Sequence, residues 1–264
     1  MATWTDAHCH LQERYLSGDE QVIKEVHETL ERAHAEGVGR IVVIGTDATT
    51  STEAVALADA HGQGLVDLRS TVGVHPHDAT SGVTEVAALA RQRSPRLVGI
   101  GECGLDYYYE HSPRDVQRQV FADQIQLAKE LNLALVIHAR DAWTDLFDVL
   151  DGEGMPERTV IHCFTGGPSE VRQCLDRGAD ISLAGVVTFK NAGDLREAAL
   201  LVPADRLHVE TDSPFLTPVP HRGRPNEPRF VTLVGTFLAE LRGVAPEEMA
   251  QSTSANTARL FAIA

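Results

Sequence analysis

The chain has 264 residues, 43% of them hydrophobic, and a formal charge of −15 from 38 acidic against 23 basic side chains. That length suits one sizeable core, so 1–264 is expected to fold as a single domain. A broad basic face, the footprint of proteins that grip long nucleic acid, is excluded by the charge, and any such role must rest on a local site.

Short apolar segments alternate with amphipathic ones. A first strand is expected at 3–8 (TWTDAH), followed by a helix in which Val22, Ile23, Val26, Leu30 and Ala33 recur at helical spacing. Asp19 is its expected N-cap and Gly37 its stop. Further strands are expected at 40–46, 69–74, 97–102, 133–138, 159–163, 180–187 and 207–211. Helices are expected at 47–62, 83–94, 114–131, 141–151, 168–178, 191–202, 227–243 and 246–262. Strict β/α alternation means parallel strands joined by right-handed crossovers, and eight of them suit an α/β fold of the (β/α)8 TIM-barrel class. An open doubly wound sheet would carry a glycine-rich turn after its first strand; here that strand ends in Asp-Ala-His-Cys-His.

The strand ends carry the chemistry. His8 and His10 end the first strand, His75 and His77 follow the third, and Glu102 ends the fourth. His138 ends the fifth, His162 lies in the sixth, and Asp212 follows the eighth. The C-terminal ends of barrel strands converge on one face, where active sites are built. His8 and His10, two apart on a strand, point to the same side and can grip one cation. His138 and His162, on adjacent strands, can hold a second. A carboxylate can bridge two ions, and none of Lys24, Lys129 and Lys190 lies at a strand end to compete for that role, so Glu102 is the expected bridge. Asp212 completes the set as ligand and proton acceptor. Asp6 and Glu210, two residues before His8 and Asp212, are expected to lie behind the ligands and orient them. Cys9, Cys103 and Cys163 each follow a proposed ligand, so their thiols should face the helices instead. His75, Arg140 and Arg222 are expected to hold the phosphate of a substrate, with Arg224 and Asn226 close by.

The opening MATWTDAHCHL has neither the basic stretch nor the apolar run of a secretory signal. No apolar run nears the ~18 residues that span a bilayer. Cys9, Cys103, Cys163 and Cys174 have no CxxC spacing and read as reduced thiols. A cytoplasmic protein with no membrane contact and no obligate protein partner is expected.

With these residues in view, the chain resembles the TatD family of metal-dependent deoxyribonucleases, within the amidohydrolase-type barrels. The resemblance is carried by DAHCHL at 6–11, GVHPHD at 73–78, GECGLDYYY at 101–109 and VIHARDA at 136–142. It continues through IHCFTG at 161–166, ETDSPFL at 210–216, RGRPNEP at 222–228 and NTARLF at 256–261, and so covers the whole chain. It implies a hydrolase of DNA phosphodiester bonds, a 3′→5′ exonuclease preferring single strands, with water activated by two divalent ions. Mg²⁺ is the ion it favours, with Mn²⁺ or Zn²⁺ compatible with the ligands. By the same resemblance His8, His10, Glu102 and Asp212 would hold one ion, and Glu102, His138 and His162 the other. DNA ends or short single-stranded oligonucleotides are the expected partners. A small-molecule amide or ester hydrolase on the same binuclear site is the alternative, and a non-catalytic metal-binding scaffold a third reading. The arginines near the mouth and the lack of a bridging lysine favour phosphodiesters.

Overall fold

The computed structural model of the protein describes residues 3–13, 15–62 and 64–263. Eight parallel strands form one sheet in sequential order: β1 (Trp4–Cys9), β2 (Val38–Ile44), β3 (Asp67–Val72), β4 (Leu97–Asp106), β5 (Ala134–Arg140), β6 (Thr159–Ile161), β7 (Asp180–Leu183) and β8 (Leu207–Val209). The segment after β8 returns to β1: the Asp212 amide donates to the His8 carbonyl at 2.9 Å and the His10 amide to the Ser213 carbonyl at 2.7 Å. These bonds bring the two ends of the sheet together as a TIM barrel.

The helices are α1 (Glu20–Ala35), α2 (Ala48–His61), α3 (Thr84–Arg91), α4 (Arg114–Leu131), α5 (Trp143–Glu153), α6 (Pro168–Asp176), α7 (Gly193–Leu201), α8 (Val231–Arg242) and α9 (Pro246–Leu260). Local chemistry sets their ends. Asp19 caps α1 by accepting from the Gln21 amide, and Asp47 with Thr50 forms a capping box on α2. Pro168 and Pro246 open α6 and α9, where a missing N–H costs nothing.

Period-two alternation sorts the strand residues. Val42, Ile44, Val98, Ala134, Val136 and Val160 form a small cluster with Leu260, Phe261 and Ile263 from the C-terminal end. Their neighbours Ile41, Val43, Leu135 and Ile137 belong to the larger core shared with the helices. On the first set's side, His138 and His162 come next along β5 and after β6.

The strand ends differ from the sequence expectation in ways that matter for the site. β4 runs four residues past Glu102, pairing Gly104 with His138 and Asp106 with Arg140. The expected strand at 180–187 stops at Leu183, whose partner Val209 is the last residue of β8. Past that point the ladder has no partner strand, and residues Gly185–Thr188 take local 3-10 bonds instead. β6 and β8 likewise end two residues early, at Ile161 and Val209.

Candidate metal centre

Six side chains from five strand ends meet at the mouth of the barrel. Nε2 of His8 lies 3.3 Å from Glu102 Oε2, 3.7 Å from Asp212 Oδ1 and 3.3 Å from Nε2 of His10. Nε2 of His10 lies 3.6 Å from Glu102 Oε2 and 3.4 Å from Asp212 Oδ1. Four ligands placed 2.0–2.2 Å from one ion in a tetrahedron stand roughly 3.4 Å apart, so these separations fit donors sharing a cation. On the other carboxylate oxygen, Glu102 Oε1 lies 2.8 Å from His162 Nε2 and 3.0 Å from His138 Nδ1.

The remote nitrogens test whether these imidazoles suit a metal. His10 Nδ1 faces the Ile44 carbonyl at 3.1 Å; a carbonyl only accepts, so Nδ1 carries the hydrogen and Nε2 offers its lone pair to the cluster. His162 Nδ1 lies 3.3 Å from Glu210 Oε1. That carboxylate accepts from the Cys163 amide at 2.6 Å and from the Ser182 hydroxyl at 2.5 Å, and is thereby fixed as an acceptor. His138 Nε2 lies 3.2 Å from Asp106 Oδ2, which turns Nδ1 toward Glu102. His8 Nδ1 is buried without a hydrogen-bond partner among the described residues. Three of the four histidines are thus held by an outer acceptor with a lone pair facing the carboxylates, which is the arrangement metal-ligating histidines take.

His75 has the opposite polarity. Its Nδ1 accepts from the His77 amide at 3.1 Å, so the neutral ring carries its hydrogen on Nε2, 3.4 Å from Glu102 Oε1. Burial, only partly offset by Glu102, lowers its pKa to about 4 and keeps the ring neutral. A neutral ring with Nε2–H is a hydrogen-bond donor to an oxygen at the cluster, rather than a ligand.

Charge sharing follows the same geometry. Burial alone would raise the Glu102 carboxyl, but the charge of His162 and the bonds from His138 and His162 hold it well below the usual carboxylate range. Asp212 is lowered likewise, the His10 bond and the His8 and His162 charges outweighing its burial. Conversely, His162 is raised well above an ordinary imidazole, because Glu102 and Glu210 outweigh the cost of burying its charge. The buried carboxylates draw positive charge into the site.

The backbone that aims these groups leaves the common φ/ψ regions at one of them and beside another. Asp212 has φ +55° and Cys163, next to His162, has φ +40°, both in the left-handed region that L-residues enter at a cost. Glycine is required where strands press together: a Cβ on Gly73 would meet the Gly101 carbonyl carbon at 2.4 Å, and one on Gly104 the His138 carbonyl oxygen at 2.0 Å.

Other expected residues lie elsewhere. Asp6 touches the His8 backbone amide at 3.3 Å and Thr211, at 2.9 Å to its amide and 2.5 Å to its hydroxyl, and does not reach the His8 ring. Arg140 lies over the rings of Tyr108 and Tyr109, its guanidinium carbon 4.3 and 4.7 Å from their centroids. Arg222 is exposed and lies 4.2 Å over the Phe189 ring, outside the cluster. Asn226 is buried, its amide donating to the Thr211 and Phe215 carbonyls at 2.8 and 2.5 Å, and shapes the loop after β8. Cys9 and Cys103 are fully buried in the helix-side core, and Cys163 is half-buried.

Sequence reasoning missed Asp106. Its Oδ2 also lies 3.0 Å from His77 Nε2, and its Oδ1 accepts from the Tyr108 and Tyr109 amides at 3.0 and 2.9 Å. Its signal was period two: Glu102, Gly104 and Asp106 share one side of β4.

Comparison with known proteins agrees with this geometry. The profile of the family described as TatD related DNase matches residues 5–262. The metal-dependent hydrolase YabD of Bacillus subtilis is 42% identical over 261 residues, covering 98% of each chain. A protein of Erwinia amylovora named 3′-5′ ssDNA/RNA exonuclease TatD is 37% identical over 252 residues, covering 92% of this chain and 96% of that one. Among solved structures, the TatD homologue YjjV of Escherichia coli superposes with a TM-score of 0.89 at 27% identity, covering 100% of this chain and 99% of that one. The chain is a metal-dependent hydrolase and belongs to the TatD-related DNase family.

Proposed function

We propose that residues 1–264 act as one catalytic domain that removes nucleotides from the 3′ ends of single-stranded nucleic acid. The observation that carries this reading is Glu102, whose two oxygens face two separate sets of imidazoles: His8 and His10 on one side, His138 and His162 on the other. Support for the substrate comes from relatives named as 3′-5′ ssDNA/RNA exonucleases.

Divalent ions held there would supply Lewis acidity toward phosphoryl oxygens and bring the pKa of water near neutrality. Mg²⁺, Mn²⁺ and Zn²⁺ all suit nitrogen and carboxylate donors, with Mg²⁺ the proposed ion in the cell. The protein's own groups do the rest. Asp212 stays ionised, faces His8 and His10, and accepts the proton of the attacking water. His75 donates its Nε2–H to a non-bridging phosphate oxygen. Arg140 and Arg222, held over aromatic rings, present in-plane N–H groups to flanking phosphates. Glu210 and Asp106 keep His162 and His138 turned toward the cluster. Water attacks phosphorus, the P–O3′ bond breaks, and the departing oxygen takes up a proton and stays on the shortened strand as its new 3′-hydroxyl.

No helix among the described residues is long and apolar enough to cross a membrane. The cytoplasm is the proposed location, on the strength of four free cysteines.

The test is digestion of a labelled single-stranded oligonucleotide, and in parallel a cyclic amide, by protein loaded with Mg²⁺, Mn²⁺ or Zn²⁺. Metal-dependent cleavage of the oligonucleotide is expected. Turnover of the amide alone would instead favour an amidohydrolase.

A further inference from the structure

Two exposed aromatic side chains lie in the segments that follow β4 and β8 at the mouth of the barrel. Tyr108 is 59% exposed and lies two residues past Asp106, to which its amide donates. Arg140 covers part of its ring, and Tyr109 meets it edge-on at 4.8 Å. Phe215 is 55% exposed; its amide donates to the Asp212 carbonyl at 2.9 Å, and its ring lies 6.2 Å from that of His10. In the sequential order of the barrel, the ends of β4 and β8 lie on opposite sides of the mouth. Phe215 therefore stands beside His10, and Tyr108 lies across the mouth against Arg140, which is two residues past His138 on β5.

Large rings left in water at a catalytic mouth suit a flat apolar partner. A chain at −15 cannot hold a strand mainly by counterion release, so affinity must come from contacts that do not depend on net charge. Base stacking is such a contact. It is tolerant of sequence, because every base has a π face, and an unpaired base can turn that face to a protein where a base inside a duplex cannot. Arg140 beneath Tyr108 adds a cation on the same platform, where a guanidinium can hold phosphate in its plane while its face rests on the ring.

Resting on the nuclease reading above, we propose that Tyr108 and Phe215 stack the unpaired bases on either side of the scissile phosphate, and that this selects single strands. Stacking does not read the 2′-hydroxyl, so DNA and RNA strands should depend on the two rings alike.

The experiment compares the metal-loaded wild type with Tyr108→Ala, Phe215→Ala and the ring-retaining Tyr108→Trp. The substrates are a single-stranded DNA decamer, its RNA counterpart, a DNA decamer with abasic terminal positions, and bis(p-nitrophenyl) phosphate. Each alanine variant should lose about tenfold in kcat/KM on both decamers, chiefly through KM. The loss on the abasic strand and the small diester should be several times smaller, and Tyr108→Trp should recover the decamer rate. Equal losses on all substrates, or no loss on the decamers, would overturn the stacking role. Were the wild type to hydrolyse the small diester but neither decamer, the nuclease reading itself would fail; decamer cleavage indifferent to the rings would sink only the stacking proposal.

Discussion

The imidazoles of His8 and His162 lie face to face, their centroids 3.8 Å apart and their planes within 11°. The rings come from opposite ligand sets, and Glu102 sets one oxygen against each: Oε2 at 3.3 Å from His8 and Oε1 at 2.8 Å from His162. In the proposed reading, a carboxylate spanning two stacked rings is the group that would bridge two cations. Glu102→Gln keeps the shape and removes the negative charge. It should lose at least one metal equivalent by elemental analysis, with activity reduced about a hundredfold or more. Full metal content with near-normal turnover would remove the bridging role.

Asp106 acts through His138 and His77, whose ring nitrogens lie 3.2 and 3.0 Å from the same oxygen. Its carboxyl is held well below the ordinary range: burial raises it, but the His138 bond, the Tyr109 amide and His77 more than compensate. In Asp106→Asn the His138 ring is free to turn away from Glu102. Metal affinity should fall about 10- to 100-fold, with excess metal restoring part of the rate. Titration by calorimetry checks this; an unchanged affinity would reduce Asp106 to a brace for the Tyr108–Tyr109 turn.

Asp6 makes stability depend on pH. Burial pushes its carboxyl up to about 8, against its bonds to Thr211 and the His8 amide. The unfolded carboxyl titrates near 3.8, so between these values the folded chain holds the extra proton. Stability from this group is therefore complete below about pH 4 and is lost as pH rises through about 8, at up to roughly 1.4 kcal/mol per pH unit. Asp6→Asn removes the titration while its amide can donate to the Thr211 hydroxyl. Urea unfolding of chelated protein from about pH 5 to 9 should show the wild type losing stability relative to the variant. Parallel curves would place the Asp6 pKa outside that window.

Cys103 is buried, and its thiol donates to the Val136 carbonyl at 3.4 Å. Cys103→Ala should destabilise the fold by about 1–2 kcal/mol and leave metal affinity intact. A folded variant that cannot bind metal would contradict the packing role.

Much of the site was legible in sequence because the same period-two pattern that makes a buried strand also sets what its end presents. His138 follows Ala134 and Val136, and His162 follows Val160, on the side of the inner cluster. Other details needed three dimensions. That β4 continues to Asp106 depends on pairing with Arg140 of β5, and the donor polarity of His75 on the amide two residues later. Asp6 reads like Glu210 in sequence, yet Thr211 intercepts its carboxylate, whereas Glu210 reaches the His162 ring. Arg222 sits on a loop after β8 where no periodicity constrains it, and Phe189 from the β7–α7 connection holds it.

The most direct measurement compares a 5′-labelled linear single-stranded oligonucleotide with its ligated circle, both incubated with Mg²⁺-loaded protein and resolved by length. A site at a barrel mouth, on a surface at −15, should take strands by a free end. The expected result is a ladder shortening one nucleotide at a time from the 3′ end of the linear strand, abolished by chelator and in Glu102→Gln, with the circle left intact. Cutting of the circle at the same rate as the linear strand would contradict an exonuclease that works from 3′ ends.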